Sequence, residues 1–307
     1  MHFDVTMAIG SFLVAIVVGL TGMGGGALMT PMLVTFFGVP PLAAVSSDLV
    51  AAAVMKPVGS YVHLRRGTVN LPLVAWLCAG SVPASFCGVL AARALGDGAQ
   101  DYISYAMGVA LLIAAAGLIV RMVQAMRDRA SGRDRVTAEP GSPASQVPSP
   151  ITIRPLPTVL VGALGGLIVG MTSVGSGSLI IVALLALYPA LKANQLVGTD
   201  LLQAVPLVAS AALGHLLFGD FQLSVTTALL VGSIPGVYLG ARISSRAPGT
   251  LIRRALAFVL IASALKMFGV PVTALAWILL GLILLAAGIW VLIRSRARSQ
   301  PVEITQS

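Results

Sequence analysis

Long apolar runs separated by short polar breaks make up most of the chain. The runs cover about 5–20, 27–37, 41–63, 71–92 and 102–121, and then about 158–171, 178–188, 195–217, 223–241, 254–269 and 272–293. A helix that crosses a bilayer needs ~20 apolar residues, so the pattern predicts an all-α polytopic membrane protein. Two runs, 27–37 and 178–188, are too short to cross alone. Each follows a break rich in small residues: Gly22-Met23-Gly24-Gly25-Gly26 before the first, Ser173-Val174-Gly175-Ser176-Gly177 before the second. The stretch 122–157 differs in kind. It carries Arg127, Arg129, Arg133, Arg135 and Arg154 and six prolines from Pro140 to Pro157, and it is expected to be a solvated, flexible linker. The expected organisation is a first membrane repeat over 1–121, the linker over 122–157, a second membrane repeat over 158–293 and a tail over 294–307.

Composition agrees with this pattern. Of the 307 residues 57% are hydrophobic and 9% charged, against about 25% charged in a soluble domain. So few charges cannot cover a surface against water, so lipid is the expected partner of that surface. The net charge of +9 raises nucleic-acid binding, but the arginines sit between apolar runs rather than along one polar face, and no nucleic-acid partner is expected. Cys78 and Cys87 lie too far apart on one helix to meet (~13 Å). They read as small buried residues rather than a disulfide or a metal site. The opening Met1-His2-Phe3-Asp4 lacks a basic n-region, so the first run is expected to stay in the mature protein.

Basic loop residues belong on the cytoplasmic side, and the arginine clusters decide between two topologies. The clusters are Arg65-Arg66, the linker arginines, Arg242-Arg246-Arg253-Arg254 and Arg294-Arg296-Arg298. If each glycine break is crossed as one continuous span, a cytoplasmic linker forces the last two clusters outside. If each break turns the chain back as a helical hairpin, 16 of the 19 Lys and Arg lie inside, Arg93 and Lys266 lie outside, and Lys56 falls within a span. The hairpin topology is therefore expected, in a bacterial inner membrane with linker and C-terminus cytoplasmic.

The two halves also repeat each other. An offset of 151 residues aligns Gly19-Leu20-Thr21 with Gly170-Met171-Thr172, Gly24 with Gly175 and Gly26 with Gly177. An offset of 152 then aligns Asp48 with Asp200, His63 with His215, Gly80-Ser81 with Gly232-Ser233, Pro83 with Pro235 and Gly88 with Gly240. Hairpin topology gives each half an odd number of crossings, so the repeats are expected to be inverted. Inverted repeats with broken helices are a transporter signature, with substrate near the midplane.

The breaks supply the chemistry. A helix that starts inside the membrane leaves its first N–H groups without intrahelical partners, and such a break persists only where it lines a cavity or meets protein. Free N–H groups and the helix dipole make an anion site. Gly22, Gly24, Gly25, Gly26, Gly175 and Gly177 allow close approach, and Thr21, Thr172, Ser173, Ser176 and Ser178 add hydroxyl donors. The competing reading is that these glycines only permit close helix packing. Gly22-x-Gly24-x-x-Ala27 with Asp48 downstream imitates a dinucleotide fingerprint. That motif needs a strand before it, however, and here a membrane-length apolar run precedes it.

Ionisable groups inside a span are costly and often functional. Lys56 is a candidate countercharge for an anion or a partner for Asp48. Asp48 and Asp200 read either as helix N-caps or as sites for a coupling proton or cation. His63 and His215 sit at helix ends, where packing or capping competes with proton relay. Gln203 and Asn194 are candidate polar liners, Pro57, Pro83, Pro206 and Pro235 candidate kinks or hinges, and Lys266 a snorkelling end. No metal site or cofactor is expected.

The run GLTGMGGGALMTPMLVTFFGVPPLAAVSSDLVAA, its echo GMTSVGSGSLIIVALLALYPALKANQLVGTDLLQA, and the pair GSVPASFCG and GSIPGVYLG resemble the sulfite exporter TauE/SafE family. The resemblance covers nearly the whole chain apart from the linker and the tail. The family motif falls on Gly22, Gly24, Gly25, Gly26 and Pro31 in the first half and on Gly175, Gly177 and Asp200 in the second, where Ser173 and Ser176 stand in place of glycine. The resemblance implies a permease for small anions: sulfite, organosulfonates such as sulfoacetate, or related carboxylates. A secondary transporter working by alternating access is expected. A channel-like or uptake permease of the same fold is the near alternative, and a membrane-embedded assembly or sensory protein the distant one. A membrane enzyme is disfavoured because no H-E-x-x-H, nucleophile elbow or Cys/His cluster appears.

Overall fold

A computed structural model describes residues 4–21, 25–65, 67, 69–95, 99–130, 152–175, 177, 179–189, 191, 193–244, 249–271, 273–275, 277–278 and 281. The described residues hold no strand, and those of a first unit, Met1–Phe268, form ten helices. These are α1 (Val5–Thr21), α2 (Gly26–Phe36), α3 (Pro41–Arg65), α4 (Leu71–Ala94), α5 (Ala99–Ala130), α6 (Pro155–Thr172), α7 (Leu179–Leu187), α8 (Ala193–Phe218), α9 (Leu223–Ser244) and α10 (Gly249–Met267). A second unit, Gly269–Ser307, has helical residues at 273–275, 277–278 and 281, and most of the apolar run 272–293 lies outside the described residues.

The apolar runs become helices within a few residues of their expected ends. The largest departure is α5, which continues to Ala130 and so takes in the start of the expected linker. Local chemistry fixes several helix starts. Asn70 caps α4, its side chain accepting from Leu73 N at 3.1 Å, and Asp4 caps α1, accepting from Thr6 N and Met7 N at 2.9 and 3.1 Å. Pro57, Pro83, Pro206 and Pro235 lie inside helices that run on through them. Among the described residues, five helices are long and apolar enough to cross a membrane: α4, α5, α6, α8 and α9. Leu13, Leu160, Leu164, Val231 and Ile234 are each more than half exposed, which gives an apolar outer surface suited to lipid.

Both glycine breaks turn the chain back on itself. A Cβ on Gly10 in α1 would lie 3.2 Å from Met32 Sδ and 3.3 Å from the Phe37 ring, at the far end of α2. In the second half, Tyr188, just past α7, has its hydroxyl 2.6 Å from Thr158 Oγ1 and accepts from Arg154 N at 2.9 Å, at the start of α6. The return arms are short. With 11 residues in α2 and 9 in α7, they reach ~16 and ~14 Å at 1.5 Å per residue, about half of a ~30 Å hydrocarbon core.

The halves are interleaved, each laying its first helix on the fourth helix of the other: α1 on α9 and α6 on α4. Glycines allow the approach. Gly232 of α9 sits on the carbonyl of Ala8, and Gly80 of α4 sits on that of Val159. Gly240 sits on Ile16 and Gly88 on Leu167 in the same way. Close backbones of this kind gain packing and Cα–H···O contacts in lipid. At the centre α3 and α8 lie antiparallel, Ser46 meeting His215 at one end and Asn70 meeting Thr199 at the other. The repeat reappears contact by contact. Asn70 N donates to Thr199 Oγ1 at 3.1 Å, and with the halves exchanged Gln222 N donates to Ser47 Oγ at 3.4 Å.

Candidate functional site

The two breaks meet. Gly26, the first residue of α2, lies so close to Ser173 that a methyl on it would fall 2.7 Å from Ser173 Oγ and overlap the Ser173 carbonyl. Gly25 before it is roomier, a methyl there reaching only Met29 Cγ at 3.7 Å. No side chain caps the start of α2. Leu28 N and Met29 N return to the Gly25 carbonyl at 3.0 and 2.9 Å, as in an ordinary first turn that leaves the preceding N–H groups outside the helical ladder.

Ser173 holds a left-handed backbone conformation with φ 58°, alone among the described non-glycine residues in having a positive φ. It stands at the end of α6, where glycine is the usual solution. Gly175 follows at φ +115°. The turn is supported locally, since Thr172 Oγ1 donates to Ile168 O at 2.7 Å and accepts from Val174 N at 3.2 Å. The Thr172 hydroxyl thus stabilises the break itself.

The serine at this position makes the contact that organises the site. Ser173 Oγ donates to Asp48 Oδ2 at 2.6 Å, and Thr30 Oγ1 of α2 donates to the same oxygen at 2.9 Å. Asp48 is fully buried, and its other oxygen, Oδ1, has no hydrogen-bond partner among the described residues. Asp48 is the eighth residue of α3 and Asp200 the eighth of α8. The N-cap reading of both therefore fails: they stand two turns inside their helices, where the N–H groups are already paired. Asp200 is buried as well, and Gln203 Nε2 lies 3.5 Å from its Oδ1. Gln203 Oε1 accepts from Ser81 Oγ of α4 at 3.2 Å.

Lys56, two turns beyond Asp48, interacts electrostatically with both Asp200 and Asp48. It is partly buried, and it acts on both carboxylates rather than on Asp48 alone. His215 is fully buried and has both ring nitrogens engaged, Nε2 at 2.8 Å from Gly170 O and Nδ1 at 2.8 Å from Ser46 Oγ. The carbonyl can only accept, so Nε2 carries a proton, and the ring bridges α6 to α3.

Other expected residues fall elsewhere. Pro83 and Pro235 are exposed on the outer faces of α4 and α9. Cys87 is exposed and Cys78 half-buried, so only Cys78 approaches the small buried residue expected of the pair, and both are free. Gly177 is described as part of a turn. Gly22, Gly24, Ser176 and Ser178 lie outside the described residues, as do the side chains of Thr21, His63 and Asn194. Sequence reasoning did not single out Thr30 and Ser46, and it met Ser81 only as the repeat match of Ser233. Each is one hydroxyl in an apolar run, and only its partner in space gives it meaning.

Residues 7–267 match the sequence profile of the family described as Sulfite exporter TauE/SafE. The chain belongs to the sulfite exporter TauE/SafE family. It is similar to Probable membrane transporter protein YjnA of Bacillus subtilis (strain 168), with 34% identity over 267 residues, covering 86% of this chain and 99% of that protein. It is also similar to Probable membrane transporter protein YdhB of the same organism, with 23% identity over 245 residues, covering 80% of this chain and 92% of that one. No solved structure matches it. This TauE/SafE chain is therefore a multi-pass membrane transporter, and the meeting of its two breaks beside a buried carboxylate lies wholly within the matched residues.

Proposed function

We propose that this protein is a secondary transporter for a small anion: sulfite, an organosulfonate such as sulfoacetate, or a related carboxylate. The observation that carries the reading is the contact of Gly26 with Ser173. It brings the uncapped start of α2 to the break of the other half, where free N–H groups and hydroxyls favour an anion. In this reading Gly22, Gly24, Gly25, Gly26, Gly175 and Gly177 admit the anion to the backbone. Thr21, Ser176 and Ser178 donate to it, with Thr172 holding the turn and Ser173 tying that turn to Asp48. Lys56 supplies positive charge, and Gln203 and Asp200 form the matching polar wall.

Inverted repeats fit the antiparallel run of α3 and α8 and the exchanged pairing of α1 with α9 and α6 with α4. That interleaving also shapes the motion. The bodies that move in alternating access are the swapped pairs, because the glycine contacts tie each first helix to the opposite half. The arginine distribution supports placing the linker and the C-terminus on the cytoplasmic side of a bacterial inner membrane.

Ligand-induced thermal stabilisation of the purified protein tests the reading. Sulfite, sulfoacetate or a small carboxylate should raise the unfolding temperature of the wild type, and chloride at the same ionic strength should not. Absence of any shift with every anion in that series, at concentrations that saturate transport, would count against binding at the breaks.

A further inference from the structure

The anion site contains a carboxylate, and a carboxylate beside an anion is unfavourable unless one of them carries a proton. Asp48 is fully buried, with two donors on Oδ2 and none on Oδ1 among the described residues. An ionised buried carboxylate ordinarily has both oxygens satisfied. The charges around it do not balance either. Lys56 acts on both Asp48 and Asp200, so one positive charge serves two carboxylates, and an incoming anion adds at least one more negative charge.

Among the described side chains, the other elements packed on α3 bring no further cation to Asp48. Described α2 has no titratable residue, and the break before α7 offers Ser173. On α8 the titratable groups are Asp200 and His215, of which His215 is committed to Gly170 and Ser46. Tyr238 and Arg242 of α9, and Asp101, Tyr102 and Tyr105 of α5, are exposed. On α3 itself Tyr61 and Arg65 are exposed and stacked on each other.

We infer that Asp48 is the coupling site: a proton rides on its Oδ1 with each anion, donates to that anion in the occluded state, and leaves with it. The inference rests on the anion-transport reading above and adds the coupled ion, its carrier atom and a stoichiometry of one proton per anion. Nothing covalent changes. The proton comes from water on the side of entry and returns to water on the side of exit. While bound it gives Oδ1 a hydrogen bond and removes the net negative charge that would otherwise expel the anion.

The test uses the full-length protein in proteoliposomes loaded with a pH-sensitive dye, with membrane potential clamped by potassium and valinomycin. The probe is radiolabelled sulfoacetate, both of whose acid groups stay ionised above pH about 6. Its entry should acidify the lumen. An acid-outside gradient should raise its accumulation by about tenfold per pH unit, the factor for one coupled proton. In Asp48→Asn the remaining flux should be slower, without acidification and indifferent to the gradient. Asp48→Glu, which keeps a titratable oxygen, should restore coupling, and this variant carries the test if Asp48→Asn does not fold.

Sulfoacetate flux without acidification would overturn the inference and leave the transport reading intact. So would retention of the gradient response in Asp48→Asn. No flux of any anion from folded protein would remove the transport reading and this inference together.

Discussion

Ser173 Oγ donates to Asp48 Oδ2 across 2.6 Å, so the break in the second half is fastened to a central helix of the first. This single hydrogen bond explains why a serine occupies a backbone conformation that favours glycine. A left-handed serine costs of order 1 kcal/mol, and taking a hydrogen-bond partner from a buried polar group costs about 1–3 kcal/mol. The bond wins.

That balance sets an order among variants. Ser173→Gly relieves the backbone and loses the hydroxyl. Ser173→Ala loses the hydroxyl and keeps the strain. Thermal unfolding in detergent should rank wild type above Ser173→Gly, and Ser173→Gly above Ser173→Ala by about 1 kcal/mol. A glycine variant as stable as the wild type would contradict the role assigned to the hydrogen bond.

Neighbouring glycines should differ sharply. A methyl on Gly26 overlaps Ser173, whereas a methyl on Gly25 reaches only Met29 Cγ at 3.7 Å. Gly26→Ala should cost about 1–3 kcal/mol and abolish transport, while Gly25→Ala should fold with wild-type stability. Equal behaviour of the two in flux and melting assays would refute the close meeting of the breaks.

The repeat is broken where the offset of 152 pairs Gln203 with Ala51. Ser81 therefore has Gln203 to donate to, and Ser233, its repeat partner, has a buried hydroxyl with no partner among the described residues. Ser81→Ala should destabilise by about 1 kcal/mol, whereas Ser233→Ala should be neutral or stabilising, since it removes an unsatisfied polar group. Chemical denaturation of both variants measures the difference.

At the start of α1 the Asp4 carboxyl is held below the usual carboxylate range, first by the Thr6 hydroxyl and then by backbone N–H donors from Met7 and Thr6. A depressed value means the cap stabilises the fold above the unfolded carboxylate range and loses that effect as pH falls through the lowered value. Asp4→Ala should therefore lower the melting temperature at neutral pH and make no difference in strong acid. A pH-independent difference would show that the carboxylate charge is not what matters there.

Much of this fold was legible in the sequence because lipid leaves a coarse signature. Run lengths gave the helices, and the shortness of 27–37 and 178–188 gave the returning arms. The repeat offset also located the contacts, since Gly80 and Gly88 recur as Gly232 and Gly240 and do the same work. The site was only partly legible. Asp48 and Asp200 stood out as charges in apolar runs, but the partners each meets in space did not. The hydroxyls of Thr30 and Ser46 gave no signal, and that of Ser81 only its recurrence as Ser233, since one small polar residue in an apolar helix looks the same whether it meets a carboxylate or bonds back to its own helix.

Anion flux into proteoliposomes, with sulfite, sulfoacetate, sulfate and small carboxylates as probes, is the most direct test of the central claim. The account predicts saturable flux of at least one of these anions, and its loss in Gly26→Ala protein that remains folded and inserted. Flux unchanged by Gly26→Ala, or no flux of any anion from folded wild type, would contradict it.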